Sequence, residues 1–296
     1  MGGRPVIVMN TAYDLHNGRE CDILIGAYAE RVYESGGDPL LLPAIEDRAF
    51  YRRSLASAQG VLLIGGKDYP PSFYGEEPHP RTNLSRMRSE CDLWFGECAL
   101  ASSLPVFGIC AGCQLLAILD GGKLIQHLDN ADDVHTAGKS HSATVVADGW
   151  LSSILHLSPG DDFTVNSFHH QAVRPETLKR FAVTARACDG SVEAIELPDP
   201  ERMVLAVQFH PERMDDLGPA FFSALTEQAA ATCRRQRAAS NSRGTPLSCL
   251  DRGTSPDVGL QADARRAPPS AQPHVNGPRV SAAARKYPKP VNGGEQ

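Results

Sequence analysis

Long apolar runs are missing from this chain of 296 residues. None approaches the roughly 18 residues that a membrane-crossing helix needs, so no helical anchor is expected. The opening Met1-Gly2-Gly3-Arg4-Pro5 passes straight into a strand-like stretch, without the apolar core of an export signal, and a cytoplasmic protein is expected. Cysteine is sparse. Eight in a chain of this length are too few for a disulfide framework, and mostly reduced thiols are expected. There is no Walker phosphate loop and no G-x-G-x-x-G after the first strand-like segment, so no nucleotide is expected. No cofactor and no metal are expected.

The formal net charge of -6 conceals an asymmetry. From Arg234 to Gln296 there are 11 Lys and Arg against 4 Asp and Glu, whereas the preceding residues hold 18 against 31. An acidic body does not suit a nucleic-acid groove. From Asn241 onward the chain has eight prolines and no periodic apolar face. Such a segment buries too little to offset its ordering entropy. The expected division is therefore a folded domain over 1–235 and a disordered, Pro-rich basic tail over 236–296.

Within the body, short apolar runs alternate with helix-like spacing. Pro5–Met9, Pro39–Leu42, Gly60–Ile64 and Pro105–Ile109 read as buried strands. Helices are predicted over Cys21–Ser35, Ala49–Ala58, Arg86–Ser102 and from Cys110 to Leu119. Repeated βα units with short connections predict an α/β fold with a parallel sheet covered on both faces. After Gly121 the pattern changes to strands at Ser142–Val146, Phe163–Val165, Phe181–Ala185, Val192–Glu196 and Val204–Gln208. Asp189-Gly190 between two of them is a hairpin signal. A helix over Asp216–Gln236 closes the domain. Trp94 and Trp150 sit in apolar contexts and read as core or partial core.

Four segments carry candidate chemistry. In Gly108-Ile109-Cys110-Ala111-Gly112-Cys113-Gln114 an apolar strand stops at a Gly-x-Cys-x-Gly turn that opens a helix. Flanking glycines permit a tight turn that lifts the thiol above the sheet edge and sets it at a helix N-terminus, which favours thiolate. The amide of Ala111 then faces the place where an oxyanion would form. The same residues also read as a C-x-x-C redox pair, or as half of a zinc site completed by His169 and His170. The glycines favour the elbow, and adjacent histidines usually diverge. In Val204–Glu212 a buried strand delivers His210 and, two residues on, Glu212, so the carboxylate can orient the imidazole. Gly65-Gly66 ends the third strand, with Gly66 a candidate second oxyanion donor. Val165–Gln171, containing Ser167, Phe168, His169 and His170, suits a substrate-facing loop.

Together these segments resemble the class I glutamine-amidotransferase-like superfamily, and more specifically the gamma-glutamyl-gamma-aminobutyrate hydrolase family of cysteine peptidases, over about 5–235. The resemblance implies a flavodoxin-like three-layer sandwich, its mostly parallel central sheet extended by antiparallel strands. It implies Cys110 as nucleophile, His210 as base and Glu212 as orienter, with Gly66 and Ala111 as the oxyanion hole. Gly65, Gln114, Ser167, Phe168, His169 and His170 would border the substrate. The implied activity is hydrolysis of a small gamma-glutamyl amine through a thioester. A glutaminase subunit feeding ammonia to a separate synthase is the alternative. Many relatives carry Arg where Ala111 stands, which leaves the amide's role intact. The expected partners are a small gamma-glutamyl substrate and at most a second copy of the chain, as a homodimer, with no nucleic acid and no membrane.

Overall fold

The computed structural model describes residues 3–17 and 19–242. The first strand, β1 (Val6–Asn10), is followed by a hairpin of β2 (Ala12–His16) and β3 (Arg19–Ile23). Then come α1 (Gly26–Glu34), β4 (Asp38–Leu42), α2 (Arg48–Leu55), β5 (Gly60–Leu63), α3 (Arg86–Ala101), β6 (Val106–Ile109) and α4 (Ala111–Leu119). The second half holds β7 (Lys123–Ile125), β8 (Lys139–Val145), α5 (Trp150–Leu155), β9 (Asp162–Ser167) and β10 (Ala172–Arg174). It ends with β11 (Ala182–Ala187), β12 (Val192–Glu196), β13 (Val204–Val207) and α6 (Gly218–Ser242).

Nine strands form one sheet in the order β4-β1-β5-β6-β13-β12-β11-β8-β9. From β4 to β13 neighbours run parallel. Beyond β13 every pairing is antiparallel. Side chains alternate across the sheet with the two-residue period of strands. Val8, Val61, Leu63, Val106 and Ala206 pack under α2, α3 and α4 with Tyr51, Phe95 and Leu115. Ile7, Met9, Leu62, Phe107 and Val207 pack on the other face with Tyr28, Val32, Phe221 and Phe222 of α1 and α6. The result is the flavodoxin-like three-layer sandwich expected from the sequence. Trp94 and Trp150 are partly buried against these two cores. Gly190, at φ +87°, turns the β11–β12 hairpin as expected.

Two expectations need correction. Residues 21–25 are not helical. The spacing of Ile23 and Ile25 mimics a helix, but Cys21 and Asp22 lie in β3 and pair with β2. The Asp22 carboxylate pins this hairpin by accepting from Thr11 Oγ1 at 2.5 Å and Ala44 N at 2.9 Å. Ile23 and Ile25 are then left exposed. At the other end α6 runs to Ser242, past the expected boundary at 236, and the rest of the tail, 243–296, lies outside the described residues. Among the described residues no helix is long and apolar enough to cross a membrane.

A close backbone approach lies behind the β6–α4 turn. A Cβ on Gly112 would stand 2.3 Å from the backbone oxygen of Leu63, and neither backbone can yield cheaply. Gly112→Ala should therefore lose about 1–3 kcal/mol of stability, as overpacking does. A shift in the urea unfolding midpoint at unchanged m-value would report it.

Candidate active site

The β6–α4 turn and the end of β13 are brought together by register. Val207 pairs with Ile109, and the amide of Cys110 donates to Val207 O at 2.8 Å. The next residues of the two strands, Cys110 on one side and Gln208 to His210 on the other, are thereby neighbours. Cys110 itself sits at φ 51°, ψ −104°, a conformation that costs a non-glycine residue about 1–3 kcal/mol. It is buried, and Gln208 Nε2 donates to its Sγ at 3.5 Å.

His210 is held on three sides. Its amide donates to Asn166 Oδ1 at 2.8 Å while Asn166 Nδ2 donates back to His210 O at 2.9 Å. Its Nδ1 lies 2.8 Å from Glu212 Oε1, and the Phe168 ring packs edge-on at 5.3 Å. Burial would pull the imidazole's pKa down. The charge of Cys110, a hydrogen bond with it and the Glu212 carboxylate prevail, and the pKa is pushed up to about 10. Glu212 is buried at 2% exposure, so its charge is little screened by water. A Cβ on Gly65 would fall 2.9 Å from His210 Cε1 and 3.5 Å from Cys110 Cβ, which places both side chains against the same glycine.

Gly65 and Gly66 follow β5. The amide of Gly65 donates to the Tyr28 hydroxyl at 3.2 Å. Burial, with Glu212 and Cys110 nearby, keeps that hydroxyl protonated far above neutral pH. Behind Gly66 lies a buried arginine that sequence reading did not single out. A Cβ there would stand 1.1 Å from Arg88 Nη1. Arg88 Nη2 donates to Ile64 O at 3.1 Å, and Nε pairs with Asp92 Oδ2 at 2.8 Å. Asp92 in turn accepts from Asn10 Nδ2 at 2.7 Å and Tyr69 OH at 2.8 Å. The one local signal was the i,i+4 spacing of Arg88 and Asp92 on α3.

Ala111 opens α4. Gln114 points its Nε2 to Gln208 Oε1 at 3.2 Å and Gln171 O at 3.3 Å. The expected loop residues separate. Phe168 is exposed and stacks under the Arg213 guanidinium at 4.4 Å. His170 lies 3.1 Å from Asp68 Oδ2, and His169 turns the other way, to 3.6 Å from Glu193 Oε1. Ser167 does not border the cleft: it is fully buried and donates to His135 O at 2.9 Å. Cys113 lies in the opposite core from Cys110, and burial, with Cys110 nearby, pushes its thiol pKa well up. That environment does not suit a redox pair.

Two cavities open on the thiol. One, of about 310 Å³, is polar, bordered by Asp14, Lys67, Asp68, Arg88 and His170 beside Cys110 and Gly66. The other, of about 240 Å³, is bordered by Ile23, Ile25, Tyr28, Phe168, His210 and Arg213.

A parallel α/β sandwich with a thiol at the strand–helix turn beside a His-x-Glu strand end is the class I glutamine-amidotransferase-like arrangement. Two solved structures share the fold. The glutaminase domain of Trypanosoma brucei CTPS aligns at TM-score 0.55 and 14% identity, covering 77% of this chain and 94% of that one. A Thermoplasma acidophilum protein described as a "putative gmp synthase subunit a protein" aligns at TM-score 0.56 and 19% identity, covering 80% of this chain and 100% of that one. The chain belongs to the Peptidase C26 family, whose model matches residues 6–212. It is 35% identical over 214 residues to a Mycobacterium tuberculosis protein named "Putative glutamine amidotransferase", covering 71% of this chain and 68% of that protein. It is 28% identical over 222 residues to the gamma-glutamyl-gamma-aminobutyrate hydrolase of Escherichia coli, covering 70% and 85%. It is a glutamine-amidotransferase-like hydrolase of amide bonds.

The environment of His210 has a measurable consequence. Its imidazole keeps its proton until pH rises through about 10, so it stands beside Cys110 as a positive charge across the neutral range. Iodoacetamide should label Cys110 faster than the other thiols at neutral pH. In His210→Asn, which removes that positive charge, the labelling should drop at least about tenfold. Mass spectrometry of the Cys110 peptide reads both. Equal labelling rates in the two proteins would remove His210 from this role.

Proposed function

We propose that this protein hydrolyses the gamma-glutamyl amide bond of a small gamma-glutamyl amine, with Cys110 as nucleophile, His210 as acid and base, and Glu212 as the group that orients His210. The observation that carries the reading is the bond from Cys110 N to Val207 O, which sets the strained thiol turn against the strand end bearing a His210 already paired to Glu212. The Cys110 thiolate attacks the amide carbonyl carbon. The developing oxyanion is met by the backbone N–H groups of Gly66 and Ala111. His210 gives its proton to the amine nitrogen, the C–N bond breaks, and a thioester remains. Water then attacks the thioester while His210 takes its proton. Cleavage of the C–S bond releases glutamate and restores the thiolate.

The two cavities support a division of the substrate. The polar one offers Asp68, Lys67 and Arg88, charges of both signs suited to the amino and carboxylate groups of a glutamyl unit. Its volume is at the lower end for small-molecule sites, which favours a compact group. The other offers Ile23, Ile25 and Phe168 for an apolar stem, with Arg213 also on its border. An amine carrying a terminal carboxylate, as gamma-aminobutyrate does, matches that pattern.

The name of the Mycobacterium tuberculosis relative favours a second reading, a glutaminase that passes ammonia to a separate synthase. One assay separates them. The purified chain alone should release glutamate from gamma-glutamyl amides faster than from glutamine. Cys110→Ala should lower kcat by about 10³-fold or more, and Glu212→Gln by about 10²-fold. Turnover of glutamine alone, with none across a panel of gamma-glutamyl amines, would favour the glutaminase.

A further inference from the structure

Away from the thiol, three segments distant in sequence converge on a buried cluster that the proposed chemistry does not use. His141 comes from β8, His169 from the loop after β9, and Glu193 from β12. Glu193 is fully buried, and the side chains of His141 and His169 are 6% and 2% exposed. Among the described residues neither oxygen of Glu193 has a hydrogen-bond partner, nor has Nε2 of either histidine. A buried carboxylate left in this way is costly unless a cation compensates it.

The spacing argues against direct hydrogen bonds. Nε2 of His141 and Nε2 of His169 each stand 3.6 Å from Glu193 Oε1, too far for a charge-assisted bond. Around a tetrahedral zinc ion with ligands at 2.0–2.2 Å, neighbouring ligand atoms sit about 3.3 Å apart. The observed spacing is close to such an edge. His135 adds a fourth group, and one ligand atom from each of the four residues lies within 4.8 Å of all the others.

The outward-facing ring atoms are arranged as in histidine metal sites, where the second nitrogen donates to a carbonyl or carboxylate. His169 Nδ1 lies 3.0 Å from Gln171 O and His141 Nδ1 3.2 Å from Ser142 O. A nitrogen facing a carbonyl oxygen must carry the proton, which leaves Nε2 of the neutral ring with its lone pair aimed into the cluster. His135 Nε2 lies 2.8 Å from Asp189 Oδ2 and its Nδ1 3.3 Å from Ser167 Oγ, so a metal would take Nδ1 in exchange for that hydroxyl contact.

We propose that His141, His169 and Glu193, with His135 as the fourth group, bind one divalent d-block cation of the zinc class. Imidazole donors select such an ion over magnesium or calcium. Four protein groups closing the site make it structural rather than catalytic. Its effect is to clamp the pocket-bordering loop, through His169, to β8 and β12.

The test uses the full chain with any affinity tag removed, stripped by chelator and titrated with zinc and with cobalt(II). Mass-spectrometric metal analysis should give one zinc per chain. Cobalt should give the intense visible bands of a tetrahedral nitrogen and oxygen site, without thiolate charge transfer. Zinc should raise the Tm of the wild type. Glu193→Gln and His141→Asn should lose the cobalt bands and the Tm shift. His127→Ala, in a separate histidine pair, and Cys110→Ala should keep them. Zinc well below one equivalent with no cobalt bands in the wild type would overturn the proposal, as would thiolate charge transfer or full binding by both ligand variants. The wild-type cobalt spectrum decides even where a variant fails to fold.

Discussion

The site depends on one strained residue. Cys110 is held at positive φ because the chain must leave β6 and enter α4 within a single position. The surroundings allow nothing slacker. A Cβ on Gly108 would stand 3.0 Å from Ala206 and from the backbone of Gly112, and one on Gly112 would strike Leu63. The strain is sustained by the helix that follows, since every residue of α4 from Ala111 to Ile118 is buried. Burial of that helix, at about 25 cal/mol per Å² of apolar surface, far exceeds the local cost. Core and thiol are thus one construction, and a change in core packing under α4 reaches the sulfur directly.

The facing turn is built by different physics. Gly65 and Gly66 are fixed by polar groups that also close on them sterically. Arg88 reaches Ile64 O, Asn10 Oδ1 accepts from Ile64 N at 2.9 Å, and Asp92 ties Arg88, Asn10 and Tyr69 together. Such a buried network sets position sharply only when its members are satisfied together. Removing Arg88 would strand the Asp92 charge. Its importance for the Gly66 amide lies in holding that backbone still, without contact to the reacting bond.

What was legible in the sequence follows from chain distance. The thiol turn and the His-x-Glu strand end are short contiguous segments whose spacing already encodes their chemistry. The parallel half of the sheet was legible because buried βα units have distinct periods. Arg88 was not, because nothing in Arg88–Asp92 says that the pair lies under Gly66; that follows from how α3 packs. The β2–β3 hairpin was hidden because exposed Ile23 and Ile25 imitate a helical face. The loop was read correctly as polar, yet a single sequence cannot say which of its side chains turn inward, and Ser167 turned in.

That loop also explains the use of the antiparallel half of the sheet. His169 and His170 are adjacent and point to opposite sides, one to Glu193 beneath and one to Asp68 across the cleft. Asn166, just before them, exchanges two hydrogen bonds with the backbone of His210. The segment is therefore fastened to β12, to the loop after β5 and to the strand end that bears the imidazole. Phe168, between these anchors, is the side chain left to meet solvent and the His210 ring. A wall tied at three points moves as part of the scaffold, so the shape of the cleft is set by the sheet's strand order as much as by the residues that border it.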